Sequence, residues 1–266
     1  MKLHAARCGT IKVDTGLLDG GDPDGRTRLS GQLRAVPSMC FVLEHPEATV
    51  IWDTSMHPAV CTDPLGHWGP LAESVTVPEY EQAELLTVRL GLLGIEVDAV
   101  GLVLNSHLHN DHCGMNRFFP AATVMGRRCE VTHAEEQMTN PISGYVEADF
   151  HGDGQRRELF DYDDRHDVFG DGTLELVSTI GHTPGHQSMS ITFSSGRRYV
   201  LAGDAVYTTA QLAAGAPPGL TWDCDAAIES SRRLGALASD EATTVLIPHD
   251  PDTWANVIDV ATIWSE

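Results

Sequence analysis

An α/β fold, layered sheets with helices outside, is what this 266-residue sequence predicts. Three observations carry the expectation. Short apolar runs rich in β-branched residues recur along the chain. Two longer segments space their apolar residues at helical period. Groups capable of chemistry fall where the apolar runs end, the usual place for function in α/β proteins. No linker, internal repeat or low-complexity stretch divides the chain, so residues 1–266 read as a single domain.

The opening "LHAARCGTIKV" and the later "MCFVLEHPEATVIWDTS" predict strands, with turns at Asp19-Gly20-Gly21 and His45-Pro46. Residues 57–73 carry Gly and Pro and read as a loop. In "PEYEQAELLTVRLGLLG" the helical spacing predicts a helix with Pro78 near its start and Gly94 at its end. "DAVGLVLNS" is almost continuously apolar and predicts a strand buried on both faces. Residues 140–172 are polar, with Gly and Asp throughout, and read as loop with one short strand. "TLELVSTI", "QSMSITF" and "RRYVLAGD" follow as three strands. "DCDAAIESSRRLGALA" predicts a helix capped by Asp223 or Asp225. "TTVLIP" is a last buried strand, and His249 follows it.

The formal charge is -21, from 38 acidic and 17 basic residues. That field repels phosphate backbones and anionic membranes, so nucleic acid and membrane are not expected partners. The apolar runs fall far short of the roughly 20 residues that a bilayer crossing needs, and "MKLHAARCGT" has no apolar core of a signal peptide. The six cysteines, 8, 40, 61, 113, 129 and 224, form no C-x-x-C pair. Reduced thiols in a cytoplasmic protein are the simplest account of them.

The stretch "LNSHLHNDHCG" holds the chemistry. His107 and His109 are two apart and point the same way in extended backbone. Asp111 and His112 are adjacent and cannot both join that face, so two sites side by side are expected, one built on 107 and 109, the other on 111 and 112. Imidazole and carboxylate suit zinc and similar first-row ions. His182, Asp204 and His249 each follow a predicted strand. Together these seven side chains are enough for two metals sharing one bridging carboxylate. His186 reads as a supporting or packing residue, because seven donors already fill both sites. His57, His67 and Trp68 lie in a loop that lies open as a pocket wall.

His107-x-His109-x-Asp111-His112, then His182, Asp204 and His249 in that order, resemble the metallo-β-lactamase superfamily. Asp53 in "VIWDTS" resembles its early strand-end aspartate. The resemblance implies an αβ/βα four-layer sandwich with a dinuclear metal site at the edge of the sheet seam. "NSHLHNDHCGMNRFFP", "GHTPGHQS" and "GDAVY" are closer still to the N-acyl-homoserine lactonases. By that resemblance His107, His109 and His182 hold one ion, Asp111, His112 and His249 the other, Asp204 bridges, and zinc is the usual occupant. Tyr207 and Asp111 are then the catalytic candidates, as oxyanion donor and proton shuttle. Three features depart from the lactonase pattern: Asn110 in place of an aromatic, Ser55 in place of a glycine, and a distinctive 57–75 loop. They bear on the pocket and the substrate.

The implied function is a metal-dependent hydrolase opening a lactone, the quorum-quenching N-acyl-homoserine lactones first. Alternatives on the same site are a pyridoxolactone-type ring, a thioester or a β-lactam. A glyoxalase-type thioesterase is disfavoured by a short tail with only Arg232 and Arg233, and a flavodiiron oxidoreductase by His109 where that group carries Glu. The net charge disfavours an RNA nuclease, and the complete donor set a non-catalytic binding module. A homodimer through residues 80–92 and 57–75 is an open expectation.

Overall fold

The computed structural model describes residues 1–19, 28–152 and 154–266. Gly20 and Gly21 of the expected first turn lie outside the described residues. The strands are β1 (Lys2–Asp14), β2 (Leu33–Glu44), β3 (Thr49–Trp52), β4 (Thr76–Glu79), β5 (Val100–Leu104), β6 (Thr123–Arg127), β7 (Arg156–Phe160), β8 (Arg165–Asp167), β9 (Leu174–Ser178), β10 (Gln187–Thr192), β11 (Arg198–Leu201), β12 (Thr243–Leu246) and β13 (Val260–Ser265). The α-helices are α1 (Thr15–Leu18), α2 (Pro64–Trp68), α3 (Leu86–Leu92), α4 (Arg128–Gln137), α5 (Glu147–Phe150), α6 (Thr209–Ala214) and α7 (Cys224–Ala238).

Two sheets result. The first runs β13-β1-β2-β3-β5-β6-β7, with β4 also on β1, and the second β12-β11-β10-β9-β8. The period-2 alternation of strands explains how they stack. On β2 and β3, Phe41, Leu43, Val50 and Trp52 face inward and meet Leu176, Met189, Ile191 and Leu201 of the second sheet. Their neighbours Val42 and Ile51 face out and pack under Leu86 and Leu90 of α3. On the far side Val200 and Ala202 pack beneath Leu234 of α7. The layers are therefore α, β, β, α, the expected αβ/βα sandwich. Trp52 and Phe41 are fully buried in the seam, and burial of such side chains is worth about 1.5–3 kcal/mol each.

Asp223 caps α7, its carboxylate accepting from the Ala226 backbone N–H at 3.0 Å. The helix then presses on the 179–182 turn. Gly181, at φ +138°, sits so close that a Cβ there would strike the Ala227 backbone; only glycine allows both the backbone angle and the approach.

Three expectations need correction. No helix starts at Pro78. That residue lies in β4, opposite Ile11 of β1, where an edge strand tolerates a missing N–H. A 3₁₀ turn, Gln82–Glu84, follows, then extended Leu85, and α3 begins only at Leu86. The helical spacing belongs to two short turns broken by Leu85. The expected loop 57–73 contains the turn Pro58–Cys61, α2 and the turn Gly69–Glu73. The described residues of 140–172 hold two strands, β7 and β8, and the single turn of α5. The sequence reading also missed β6, α4, α6 and β13.

Candidate metal centre and active site

Each expected donor stands just past the C-terminal end of a strand. Residues 107–112 follow β5, His182 follows β9, Asp204 follows β11 and His249 follows β12. The structure brings all seven side chains together, in two sets. In the first, His107 Nε2 lies 3.0 Å from His109 Nδ1, and His182 Nε2 lies 3.2 and 3.0 Å from those two nitrogens. Asp204 Oδ2 completes it, 3.5 Å from His182 Nε2 and 3.9 Å from His107 Nε2. In the second, His112 Nε2 and His249 Nε2 are 3.2 Å apart. Asp111 Oδ2 lies 3.5 and 3.6 Å from them, and Asp204 Oδ1 lies 3.3 Å from each. Asp204 thus offers one oxygen to each set, and the sets divide as the spacing of 107, 109, 111 and 112 suggested.

The rear nitrogens are fixed by protein groups. His182 Nδ1 donates to the Leu220 carbonyl at 2.7 Å and His249 Nδ1 to the Pro37 carbonyl at 2.8 Å. His112 Nδ1 donates to Asp53 Oδ2 at 2.9 Å. Ser106 Oγ gives its proton to the same oxygen and accepts from His107 Nδ1 at 3.0 Å. In these four rings the rear nitrogen is engaged and Nε2 faces inward, the orientation in which neutral imidazole ligates. Asp53 stands at φ +58°, a left-handed conformation costing about 1–3 kcal/mol outside glycine; its carboxylate also accepts the Ser106 backbone N–H at 2.7 Å.

Electrostatics separate the two sets. Burial pushes His107, His109 and His182 below the ordinary imidazole range, so they are neutral. Burial pushes His112 and His249 down too, but Asp204 and Asp111 outweigh it and both stand above the usual range. Burial would raise Asp204; His112 and His249 hold it well below the carboxylate range instead. Three imidazole nitrogens and one carboxylate oxygen in the first set, and two of each in the second, are donors that can share a cation. Asp204 Oδ1 is buried with no hydrogen-bond partner among the described residues. Nitrogen spacings of 3.0–3.2 Å are near the roughly 3.3 Å edge of a tetrahedron of nitrogens around a zinc ion. Imidazole and carboxylate donors in this arrangement fit divalent first-row ions.

Above the donors opens a cavity of ≈ 430 Å³. His109, Asp111, Asp204, His249 and Tyr207 form its floor, and Ile11, Leu18, Trp68, Leu71, Val75 and Ile142 are among its apolar walls. Tyr207 is buried between His182 and His249, ring centroids 6.0 and 5.9 Å away. Burial, then the charges of Asp204 and Asp111, push its phenol well above the ordinary range, so it is a neutral donor. Gly144, at φ +80°, lies against the His109 ring, where a Cβ would come within 3.2 Å of Cδ2.

Of the three departures, Asn110 and the 57–75 loop reach the cavity wall. Ser55 does not. It is fully buried at φ +60°, donating to the Cys8 carbonyl and bonded to Ser38 Oγ, both at 2.9 Å. His186 is no donor to the sets. Its Nδ1–H donates to the Thr179 carbonyl, and its Nε2 accepts the Asp204 backbone N–H at 2.9 Å. His57 and His67 stack on each other at 4.3 Å, and His67 Nε2 is 2.7 Å from Asp149 Oδ1. The Ala59 N–H occupies His57 Nδ1, so this group latches the wall loop to α5. His4 and His45 are buried. Sequence reasoning missed Glu130, Ser106 and Tyr145, all of which support the site.

A family model, the metallo-beta-lactamase superfamily, matches residues 33–249. The chain belongs to the metallo-beta-lactamase superfamily. Within it, the chain is 34% identical over 223 residues to the N-acyl homoserine lactonase AttM of Rhizobium radiobacter, covering 83% of this chain and 84% of that protein. It is 35% identical over 221 residues to AttM of Azorhizobium caulinodans, covering 82% and 84%. Among solved structures, an N-acyl homoserine lactone hydrolase with the product N-hexanoyl-L-homoserine at its catalytic metal centre superposes with a TM-score of 0.81, at 24% identity, over 96% of this chain and 95% of that one. The dizinc quorum-quenching lactonase AidC, also with N-hexanoyl-homoserine product, matches with a TM-score of 0.68 at 15% identity, over 99% and 94%. At these identities the structural likeness speaks for the superfamily fold.

Proposed function

We infer that this chain is a metal-dependent hydrolase that opens the ring of N-acyl-homoserine lactones, the reaction named for its relatives, with residues 1–266 working as one domain. The observation that carries the reading is a pair of four-atom donor sets sharing Asp204, at the floor of a cavity whose walls are apolar. A polar lactone head and an apolar acyl chain match those two ends. His107, His109 and His182 would hold one ion, Asp111, His112 and His249 the other, and Asp204 both. Zinc is the ion the donors suit best. When bound, the ion pair supplies Lewis acidity and lowers the pKa of water toward about 7.

The chain's own groups do the rest. Tyr207 donates its phenolic proton in a hydrogen bond to the lactone carbonyl oxygen as it takes on charge. The oxygen of water adds to the carbonyl carbon and the ring C–O bond breaks. Asp111, the most open of the seven donors with 18% of its side chain exposed, takes a proton from the attacking water and hands it to the ring oxygen. The product is a hydroxy acid, which releases a proton at neutral pH. The apolar walls exclude water from the acyl chain.

Six cysteines without a disulfide support a cytoplasmic residence, and no helix among the described residues is long and apolar enough to cross a membrane. Exposed Leu65, Val88 and Leu92, on α2 and α3, support a homodimer through those segments. The deciding experiment assays homoserine lactones, a pyridoxolactone, thioesters and β-lactams by proton release, with metal counted on the same sample. Turnover of the homoserine lactones, abolished by chelation and restored by zinc, is expected. Negligible ring opening beside strong turnover of another class would overturn the assignment.

A further inference from the structure

Glu130 is buried on the first turn of α4, only 3% exposed. Four donors converge on its carboxylate. Oε1 accepts the Leu108 backbone N–H at 3.0 Å and the Tyr145 hydroxyl at 3.1 Å. Oε2 accepts the Thr183 hydroxyl at 2.7 Å and the Gly185 backbone N–H at 3.0 Å. Leu108 stands between His107 and His109, and Thr183 follows His182. One carboxylate therefore ties together the two loops that deliver all three nitrogens of the first set. Tyr145 adds a third strut, for its ring packs on the His109 ring at 4.7 Å between centroids.

The approach is built for contact. A Cβ on Gly185 would collide with the Glu130 backbone, so glycine is what lets the His182 loop close on α4. The second set is held otherwise. His112 leans on Asp53 and His249 on the Pro37 carbonyl, and none of the contacts of Glu130 given above reaches His112, His249 or Asp111. The first loop comes off β5 of the first sheet and the second off β9 of the second sheet; Gln187, where the second loop ends, ties to the Ser106 and Asn105 carbonyls at 3.0 and 2.8 Å, and Glu130 makes the tie beside the histidines themselves.

We propose that Glu130 is the positioning residue of the first set alone: by clamping Leu108, Thr183, Gly185 and Tyr145 it fixes the spacing of the His107, His109 and His182 nitrogens, and so governs the affinity of one of the two ions without governing the other. This rests on the dinuclear reading above. Glu130 touches neither substrate nor ion; it acts through the two loops and the Tyr145 ring. In Glu130→Gln an amide NH₂ replaces one accepting oxygen and faces two donors, so at least one loop loses its anchor.

The test is zinc titration against a competing chelator, which yields two dissociation constants for the holoprotein and for each variant. Glu130→Gln should weaken one equivalent by about 10–100-fold, the range for groups that orient ligands, and leave the other within about twofold. Tyr145→Phe keeps the carboxylate and removes one strut; it should weaken the same equivalent by a smaller factor, and it serves should Glu130→Gln fail to fold. Equal weakening of both equivalents in Tyr145→Phe, or no weakening in either variant, overturns the proposal. The readout needs no substrate: two ions bound with the expected selectivity but lactones left intact would fell the assigned reaction and leave Glu130 in its role.

Discussion

Replacing Asp53 by Asn probes how far a group outside both donor sets controls the chemistry. Asn tolerates the φ of +58° about as well as Asp, so the backbone strain is unchanged. The hydrogen bonds are not. Oδ1 keeps its partner, the Ser106 N–H. Oδ2, which accepts from both His112 Nδ1 and Ser106 Oγ, becomes an NH₂ group. His112 must then either leave two N–H groups face to face or move its proton to Nε2, the atom 3.3 Å from Asp204 Oδ1. The second choice removes the lone pair a metal needs. Two hydrogen bonds to a charged acceptor are lost, each worth about 1.5–3 kcal/mol. Groups in this supporting position typically cost 10–100-fold in metal affinity or activity, or about 1.4–2.8 kcal/mol at tenfold per 1.4 kcal/mol. Zinc titration and lactone turnover on one preparation read both quantities. We expect the weakened ion to be that of His112, His249 and Asp111. An Asp53→Asn protein with both ions at wild-type affinity and unchanged turnover would refute the tautomer argument.

Three further outcomes are expected. Tyr207→Phe should retain two ions by metal analysis and lose about 10²–10³-fold in kcat, from the roughly 2.7–4 kcal/mol attributed to single oxyanion donors; unchanged kcat removes Tyr207 from the reaction. Ile142→Glu puts a charge on the cavity wall at a residue 65% exposed, so melting should shift little while kcat/KM falls more for long-chain than for short-chain homoserine lactones in a chain-length series. Burial holds the Asp149 carboxyl up at about 6, against about 3.8 for an aspartate in water. The folded state therefore binds the extra proton between those values, and its stabilising effect is full below pH 3.8 and lost as pH rises through 6, about 3 kcal/mol in all. Urea unfolding of chelated wild type and Asp149→Asn across that window should show this slope in the wild type alone.

The donors were legible because their signal is local. Four candidates in six residues, and three more just past apolar runs, stand out by composition and place along the chain; the split into 107/109 and 111/112 is read from side-chain alternation, although residues 105–113 are loop and turn and not strand. The supports were not legible. Glu130 lies in "RCEVTHAEEQ", where a glutamate reads as a solvated first-turn residue; nothing in the sequence says that Gly185 and Leu108 converge on it from opposite sheets. The helix expected from Pro78 failed for a related reason. The spacing of apolar residues in 78–94 satisfies a helix, but Pro78 and Val77 pair with β1, and that pairing is a tertiary fact that overrides local periodicity. The sequence left the roles of His57, His67 and Trp68 open; Trp68 lines the cavity, whereas His57 and His67 turn to each other and to Asp149.

Each donor set draws from both sheets: His107 and His109 from one with His182 and Asp204 from the other, Asp111 and His112 with His249 and Asp204. An ion bound there is a rivet through the sandwich as well as a reagent. Occupancy at a hundred times the dissociation constant adds about 2.7 kcal/mol per ion to the native state, a large fraction of a typical protein's whole margin. Shelf life and resistance to proteolysis should therefore follow the free level of the metal ion, so that starving a cell of metal would thin out the enzyme itself and not merely silence it.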